Sequence, residues 1–389
     1  MKPTHLNPAA AGMKQLRAIG ASVSRHASNA ASTLQRRLVT CPLAILLLAM
    51  APGAQAAYSN MFLFGDSLSD SGNNAFVFDY VVAPPGPNRT PVPTARDAFV
   101  PEFPYQTGVG GRYSNGPVWA ETFASSPHIG GGGALASSSP GGTNYAYGGA
   151  RVVGPVDPTP TGFPFNLSTQ VAGFLAFLGP TPAAADALYV LAGGGNDARD
   201  IATAAGQAIA NGQDPTPGIT AGIAAYAVTL NELVDELQDK GARDIVVWNT
   251  PNIGVVPASL AQGPAAAGLA ESVAQAMNLA LIEVLTTAQD NELAMGVRVF
   301  DIFGLLTAAT ADPAAFGLSN ASSACSALVN NVADPLCNAY VFWDGIHPTA
   351  AGHQIIAAAM TALVPEPETM ALLALGLIGI AATRARKSR

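Results

Sequence analysis

The chain of 389 residues is 49% hydrophobic and carries 18 Lys and Arg against 26 Asp and Glu, a formal net charge of −8. Most of the basic residues sit near the two ends, and from Ala57 to Val364 there are 8 Lys and Arg against 24 Asp and Glu, a net charge of −16. So acidic a body argues against nucleic acid as a partner and makes anionic membrane surfaces poor targets, while neutral or zwitterionic lipids stay open as ligands.

At the N-terminus, Lys14, Arg17, Arg25, Arg36 and Arg37 precede the apolar run 41–50, and Ala54-Gln55-Ala56 supplies a small-residue cleavage site. This is the order of a secretory signal over residues 1–56 with an extended basic region, and it makes signal peptidase an expected partner. Arg36-Arg37 leaves the twin-arginine route open, and Met13 is an alternative start. Cleavage removes Cys41 and leaves Cys325 and Cys337, which an oxidising compartment is expected to join as a disulfide.

The remaining body, 57–363, is long enough for one large domain. Short apolar runs that end in Gly, Asn or Asp predict strands at 60–64, 187–191, 245–248 and 297–300, with a weaker one at 143–146. Helical periodicity lies at 118–123, 167–178, 220–240, 269–290 and 349–363. Strands alternating with helices predict a three-layer α/β/α domain around a parallel sheet of about five strands, with functional residues just beyond the carboxyl ends of the strands. The segments 82–100 and 159–164, rich in Pro and Gly, read as surface loops. The glycine runs at 108–111 and 130–133 lack a following Lys-Ser/Thr and read as flexible loop.

Ser67 lies in Phe64-Gly65-Asp66-Ser67-Leu68-Ser69-Asp70, directly after the first strand. A turn there places the hydroxyl at the strand's carboxyl end and its own N–H toward a developing oxyanion, although a serine in that position equally serves as an N-cap. Gly148 and Gly149, in Asn144-Tyr145-Ala146-Tyr147-Gly148-Gly149-Ala150, offer bare backbone N–H groups, and Asn196, in Gly194-Gly195-Asn196-Asp197, offers a side-chain amide. In Phe342-Trp343-Asp344-Gly345-Ile346-His347-Pro348-Thr349, Asp344 stands three residues before His347 and can orient its imidazole. Such an Asp-x-x-His alone is weak, since it is often only a capped helix start.

Together these strings resemble the GDSL, or SGNH, hydrolases over nearly the whole body, through FGDSLSDSGN, NYAYGGA, GGND and FWDGIHPT. The strings 111–119 and 249–254 resemble the bacterial lipase, phospholipase and haemolysin-like branch. The resemblance implies a flavodoxin-like fold and a serine esterase without metal or organic cofactor. It implies Ser67 as nucleophile, His347 as general base and then acid, and Asp344 as the orienting carboxylate. The Ser67 N–H, Gly148 or Gly149, and Asn196 would bind the oxyanion. Asp66, Asp70 and Asp197 read as loop-bracing, and His128 and His353 as structural or exposed.

At the C-terminus, Val364-Pro365-Glu366-Pro367, the apolar run 370–382 and the basic residues Arg384, Arg386, Lys387 and Arg389 resemble the PEP-CTERM sorting signal of Gram-negative bacteria over 364–389. That resemblance implies transient anchoring by a short transmembrane helix, processing by an exosortase-type enzyme, and delivery to the periplasm, cell surface or exopolysaccharide. A plain membrane anchor is the alternative. The expected function is hydrolysis of carboxylic esters, with lipid or fatty-acyl esters favoured. Deacetylation of extracellular polysaccharide and acyl transfer are alternatives, and outside the enzymes stands a non-catalytic surface or matrix protein.

Overall fold

The computed structural model of the chain describes residues 58–77, 111–130, 135, 141–154, 165–287, 292–329 and 334–364, all within the unit Gln55–Arg389. The expected export signal, the sorting tail beyond Val364, and the loops 82–100, 108–110, 131–133 and 159–164 lie outside these residues.

Strands β1 Met61–Gly65, β2 Leu188–Ala192, β3 Asp244–Trp248 and β4 Arg298–Phe300 form a parallel sheet in the order β1-β2-β3-β4. Gly65 stands opposite Ala192 and Trp248 opposite Phe300, so the carboxyl ends share one edge. A parallel sheet is covered on both faces, which is why the strands read as near-continuous apolar runs; β2 is buried at every position. Phe64, Tyr189, Leu191, Ile245 and Val247 enter one core layer, and Leu63, Leu188, Val190, Val246 and Trp248 the other.

The helices among the described residues are α1 Asn73–Val77, α2 Trp119–Ala124, α3 Leu167–Leu178, α4 Gly195–Ala210, α5 Thr216–Lys240, α6 Pro257–Ala261, α7 Pro264–Thr287, α8 Ile302–Ala311 and α9 Ala350–Leu363. Apolar residues of α3, α4, α5 and α7 cover the first face of the sheet, and those of α2, α8 and α9 the second. The domain is therefore the expected α/β/α sandwich. Prolines in the first turn let α5 and α7 begin earlier than their periodicity indicates. Although α7 is long and apolar enough to cross a membrane, Val273, Met277, Leu281 and Leu285 form a buried stripe at helical spacing, so it is a core helix.

Among the described residues the sheet has four strands, not five. The expected strand at 143–146 runs beside β1, with Leu63 N–H donating to Thr143 at 3.0 Å and Tyr145 N–H donating to Leu63 at 2.7 Å, yet it forms a single bridge, Leu63 to Asn144. Two amide side chains divert the rest of its backbone. Asn144 Oδ1 takes the Ala146 N–H, and Asn73 Nδ2 donates to the Asn144 and Ala146 carbonyls on the outer edge. This closes an edge that another strand could have extended. With the segment counted, the order is the flavodoxin-like 2-1-3-4-5, and the switch point falls at the end of β1.

A second, two-stranded parallel sheet pairs β5 Asn320–Ala324 with β6 Tyr340–Phe342. The disulfide Cys325–Cys337 ties this region together, with its Cα atoms 5.5 Å apart. Both cysteines are buried against Trp343.

Candidate active site

Beyond Gly65 the chain turns sharply: the Asp66 carbonyl accepts from the Ser69 and Asp70 N–H groups at 3.0 Å, and Asp66 Oδ1 accepts from Leu68 N–H at 2.9 Å. Ser67 caps no helix. The first N–H groups around α1 are taken by Asp70, whose Oδ1 accepts from Gly72 at 2.8 Å and Asn73 at 2.7 Å. The Ser67 hydroxyl is thereby left for another partner.

That partner comes from the loop after β6. Trp343 N–H donates to the His347 carbonyl at 2.7 Å and pinches the loop shut. Inside it, Asp344 Oδ1 accepts from the Ile346 and His347 N–H groups at 2.8 and 2.6 Å, and Oδ2 lies 2.6 Å from His347 Nδ1. His347 Nε2 lies 2.8 Å from Ser67 Oγ. With the Nδ1 proton shared toward the carboxylate, Nε2 is the acceptor and the serine hydroxyl the donor. Ser67, His347 and Asp344 are 4%, 1% and 0% exposed, so their contacts lie in a low dielectric.

The string 111–119 holds this loop from outside. Ser114 Oγ donates to the Pro348 carbonyl at 2.9 Å, Asn115 Oδ1 accepts from Ala350 N–H at 2.7 Å, and the Tyr113 ring lies 5.3 Å from the imidazole. Thr349 caps α9 by accepting from Gly352 N–H at 3.0 Å.

Asn196 is the second residue of α4, which begins immediately after Gly194. Gly194 takes φ 110°, and a Cβ there would press on Thr250 and the Tyr226 ring. Asn196 Nδ2 gives one hydrogen to the Ala150 carbonyl at 2.8 Å and keeps a second. Its side chain shares a pocket with Ser67 and His347. The two candidate glycines part company. Gly148 N–H donates to Asp70 Oδ2 at 2.9 Å, and a Cβ on Gly148 would run into the Tyr113 ring. Among the described residues the Gly149 N–H has no partner.

Three buried carboxyls surround the turn. Burial pushes Asp66, Asp70 and Asp197 up to about 6 against the pull of the backbone N–H groups they accept. Asp197 receives Val152 and Val153, so it fixes the chain leaving the glycine turn. His128 and His353 are both buried. Burial, helped by nearby His347, pushes His353 down to about 3, and both of its ring nitrogens lack partners.

The pocket beside the relay holds about 660 Å³ of free space, part of it open to solvent. Leu68, Ile253, Val256, Ile302, Leu306 and Ile356 form its apolar wall, and Asp66, Arg199 and His347 are among its polar side chains. Sequence reasoning did not single out these wall residues. They come from β1's turn, the loop after β3, α8 and α9, and of them Leu68 and Ile253 lie in recognisable strings.

The profile of GDSL-like lipase/acylhydrolases matches residues 61–360, and that of the PEP-CTERM protein-sorting motif matches 363–387. One GDSL esterase/lipase of Arabidopsis thaliana is 32% identical over 145 residues, covering 33% of this chain and 40% of its own. Another is 27% identical over 332 residues, covering 76% of this chain and 84% of its own. An uncharacterised Pseudomonas putida protein from the trpE-trpG intergenic region is 27% identical over 344 residues, with 82% of this chain and 51% of its own covered. The chain thus spans about half or less of two of these relatives. A solved extracellular lipase from Streptomyces rimosus aligns over 78% of this chain and 99% of its own, at 17% identity and a TM-score of 0.36. The family profile spans most of the chain and includes every residue of the relay: the chain belongs to the GDSL-like lipase/acylhydrolase family, a family of carboxylic ester hydrolases.

Proposed function

We propose that this chain is an exported serine esterase that cleaves fatty-acyl esters through an acyl-enzyme on Ser67. The observation that carries this reading is the unbroken relay Ser67 Oγ, His347 Nε2, His347 Nδ1, Asp344 Oδ2, at 2.8 and 2.6 Å, opening onto an apolar pocket. As Ser67 Oγ attacks the ester carbon, its proton passes to His347 Nε2, and the Asp344 carboxylate stabilises the imidazolium. The N–H groups of Ser67 and Gly149 and the second Nδ2 hydrogen of Asn196 receive the oxyanion. When the tetrahedral species collapses, His347 returns the proton to the leaving alcohol. Water then attacks the acyl-enzyme, gives its proton to His347, and Ser67 leaves reprotonated.

The sorting motif at 363–387 supports export, with exosortase-type removal of the tail and delivery to the outer surface. It also favours a second reading, removal of acetyl groups from an extracellular polysaccharide. An alcohol in place of water would make the same acyl-enzyme a transferase. Protein lacking the tail, offered p-nitrophenyl octanoate, phosphatidylcholine and acetylated xylan, separates these readings. Cleavage of the first two is expected, with Ser67→Ala at least about a thousand-fold slower and a fluorophosphonate labelling Ser67. Cleavage of acetylated xylan alone would favour the polysaccharide reading. Labelling of another serine, or full activity in Ser67→Ala, overturns the mechanism.

A further inference from the structure

Beside the apolar wall of the pocket lies a second, smaller apolar space, part of it open to solvent, lined by α8, β6 and α9. The two spaces have Ile302, Leu306, Pro348 and Ile356 in common, so one layer of side chains separates them. The near space reaches Ser67, His347 and Asn196. The far one is bounded by Leu305, Ala309, Val341 and Ile355 and touches no polar side chain of the relay.

We infer that this partition sets the length of acyl chain the esterase accepts, with Leu306 as the residue that decides it. The inference rests on the serine-esterase reading and adds which part of the substrate the wall reads. An acyl chain bound to Ser67 Oγ has to leave the relay along an apolar path, since a polar wall would strip water from its groups without gaining contacts from the chain. Leu306 and Ile356 belong to the apolar lining such a chain would follow. Of the four shared residues, Ile302, Pro348 and Ile356 are buried, whereas Leu306 on α8 is half-buried. Pro348 is fixed by the loop that carries His347, so it cannot move without disturbing the relay. Leu306 is therefore the movable part of the wall. Each methylene that fits into an apolar pocket is worth a few-fold to a hundred-fold in discrimination, so one side chain on that lining is enough to shift the preferred length.

The full chain is assayed with p-nitrophenyl acetate, butyrate, octanoate, laurate and palmitate, for wild type and for two opposite changes at one position. Leu306→Ala joins the two spaces and should raise the laurate-to-butyrate ratio of kcat/KM about tenfold. Leu306→Trp fills the near space and should lower the octanoate-to-butyrate ratio by a similar factor. Melting temperatures of both variants are followed alongside, and because the readout is a ratio within each protein, partial loss of folded material does not affect it. Ratios that stay at the wild-type value in both variants, or that move in the same direction, overturn the inference while leaving the esterase intact. If wild type cleaves none of the esters, the underlying reading falls, and this inference falls with it.

Discussion

Ser67 and His347 are 280 residues apart in the chain, and their Oγ and Nε2 atoms are 2.8 Å apart. The contact depends on a tautomer that Asp344 selects. Asp344 Oδ2 accepts the Nδ1 proton, which leaves Nε2 bare to receive the serine proton. Asp344→Asn is a close test of this. Its carbonyl oxygen can still accept the Ile346 and His347 N–H groups, so the loop should stay folded, but its amide would donate to Nδ1 and force the proton onto Nε2. Turnover is expected to fall on the order of a thousand- to ten-thousand-fold, with little change in melting temperature. Turnover within tenfold of wild type would mean that the carboxylate braces the loop and nothing more.

Asn196 Nδ2 carries two hydrogens, one given to the Ala150 carbonyl and one without a partner among the described residues, and its side chain lines the pocket. Asn196→Ala is expected to lower kcat roughly a hundred- to a thousand-fold with little change in KM, because the amide would act on charge that develops only in the transition state. Loss of the Ala150 bond alone should cost about 1 kcal/mol of stability. A variant that melts lower yet keeps its kcat would assign Asn196 to the turn only.

The parts of this site that the sequence disclosed are those contained in one short string. Ser67 and the Asp344/His347 pair each sit on a single turn, and the β1 to β4 runs are apolar because both faces of the sheet are covered. What stayed hidden depends on contacts between distant segments. The Gly148 N–H is taken by Asp70, 78 residues away, which separates it from Gly149. The fifth strand is undone by the Asn73 amide, which lies outside the run it interrupts. Helix α4 starts inside what reads as a strand-ending turn, and its small, polar residues give little periodicity. The pocket wall joins Ile253, Leu306 and Ile356, which share no motif because an apolar surface needs only shape and burial.

His353 offers a prediction about acid. It is fully buried, its ring nitrogens have no partners, and burial holds its pKa near 3, well below the ordinary imidazole value of about 6.5. The unfolded chain therefore takes up a proton below about 6.5 that the folded chain refuses until about 3, and stability falls as pH drops through that window. At pH 4.5 the loss attributable to this residue should be on the order of 2 to 3 kcal/mol. Asp66, Asp70 and Asp197, all raised to about 6, act in the opposite direction, because the folded state binds their protons more readily. His353→Leu should isolate the histidine contribution. Between pH 7 and 4.5 the change in stability read from denaturant melts should be about 2 to 3 kcal/mol more favourable in the variant than in wild type. An equal change in the two proteins would show that His353 does not contribute to acid sensitivity.

The last prediction concerns the route from the disulfide to the relay. Cys325 and Cys337 are 12 residues apart and pack on Trp343. Ser326 N–H donates to the Trp343 carbonyl at 2.8 Å, and Trp343 N–H donates to the His347 carbonyl at 2.7 Å. Trp343 thus stands between the bridge and the residue that orients the imidazole. Opening so short a loop should cost roughly 2 to 3 kcal/mol by the chain-entropy argument, a fall of about 5 °C in melting temperature for a domain of this size. If the bridge also positions the loop, the Cys325→Ala/Cys337→Ala double variant should lose several-fold in kcat at temperatures well below its melting point. Wild-type exported protein, unfolded without reductant, should present no titratable thiol. A double variant that melts lower but turns over at the wild-type rate would limit the bridge to global stability, since the loop around Asp344 would then hold its geometry without it.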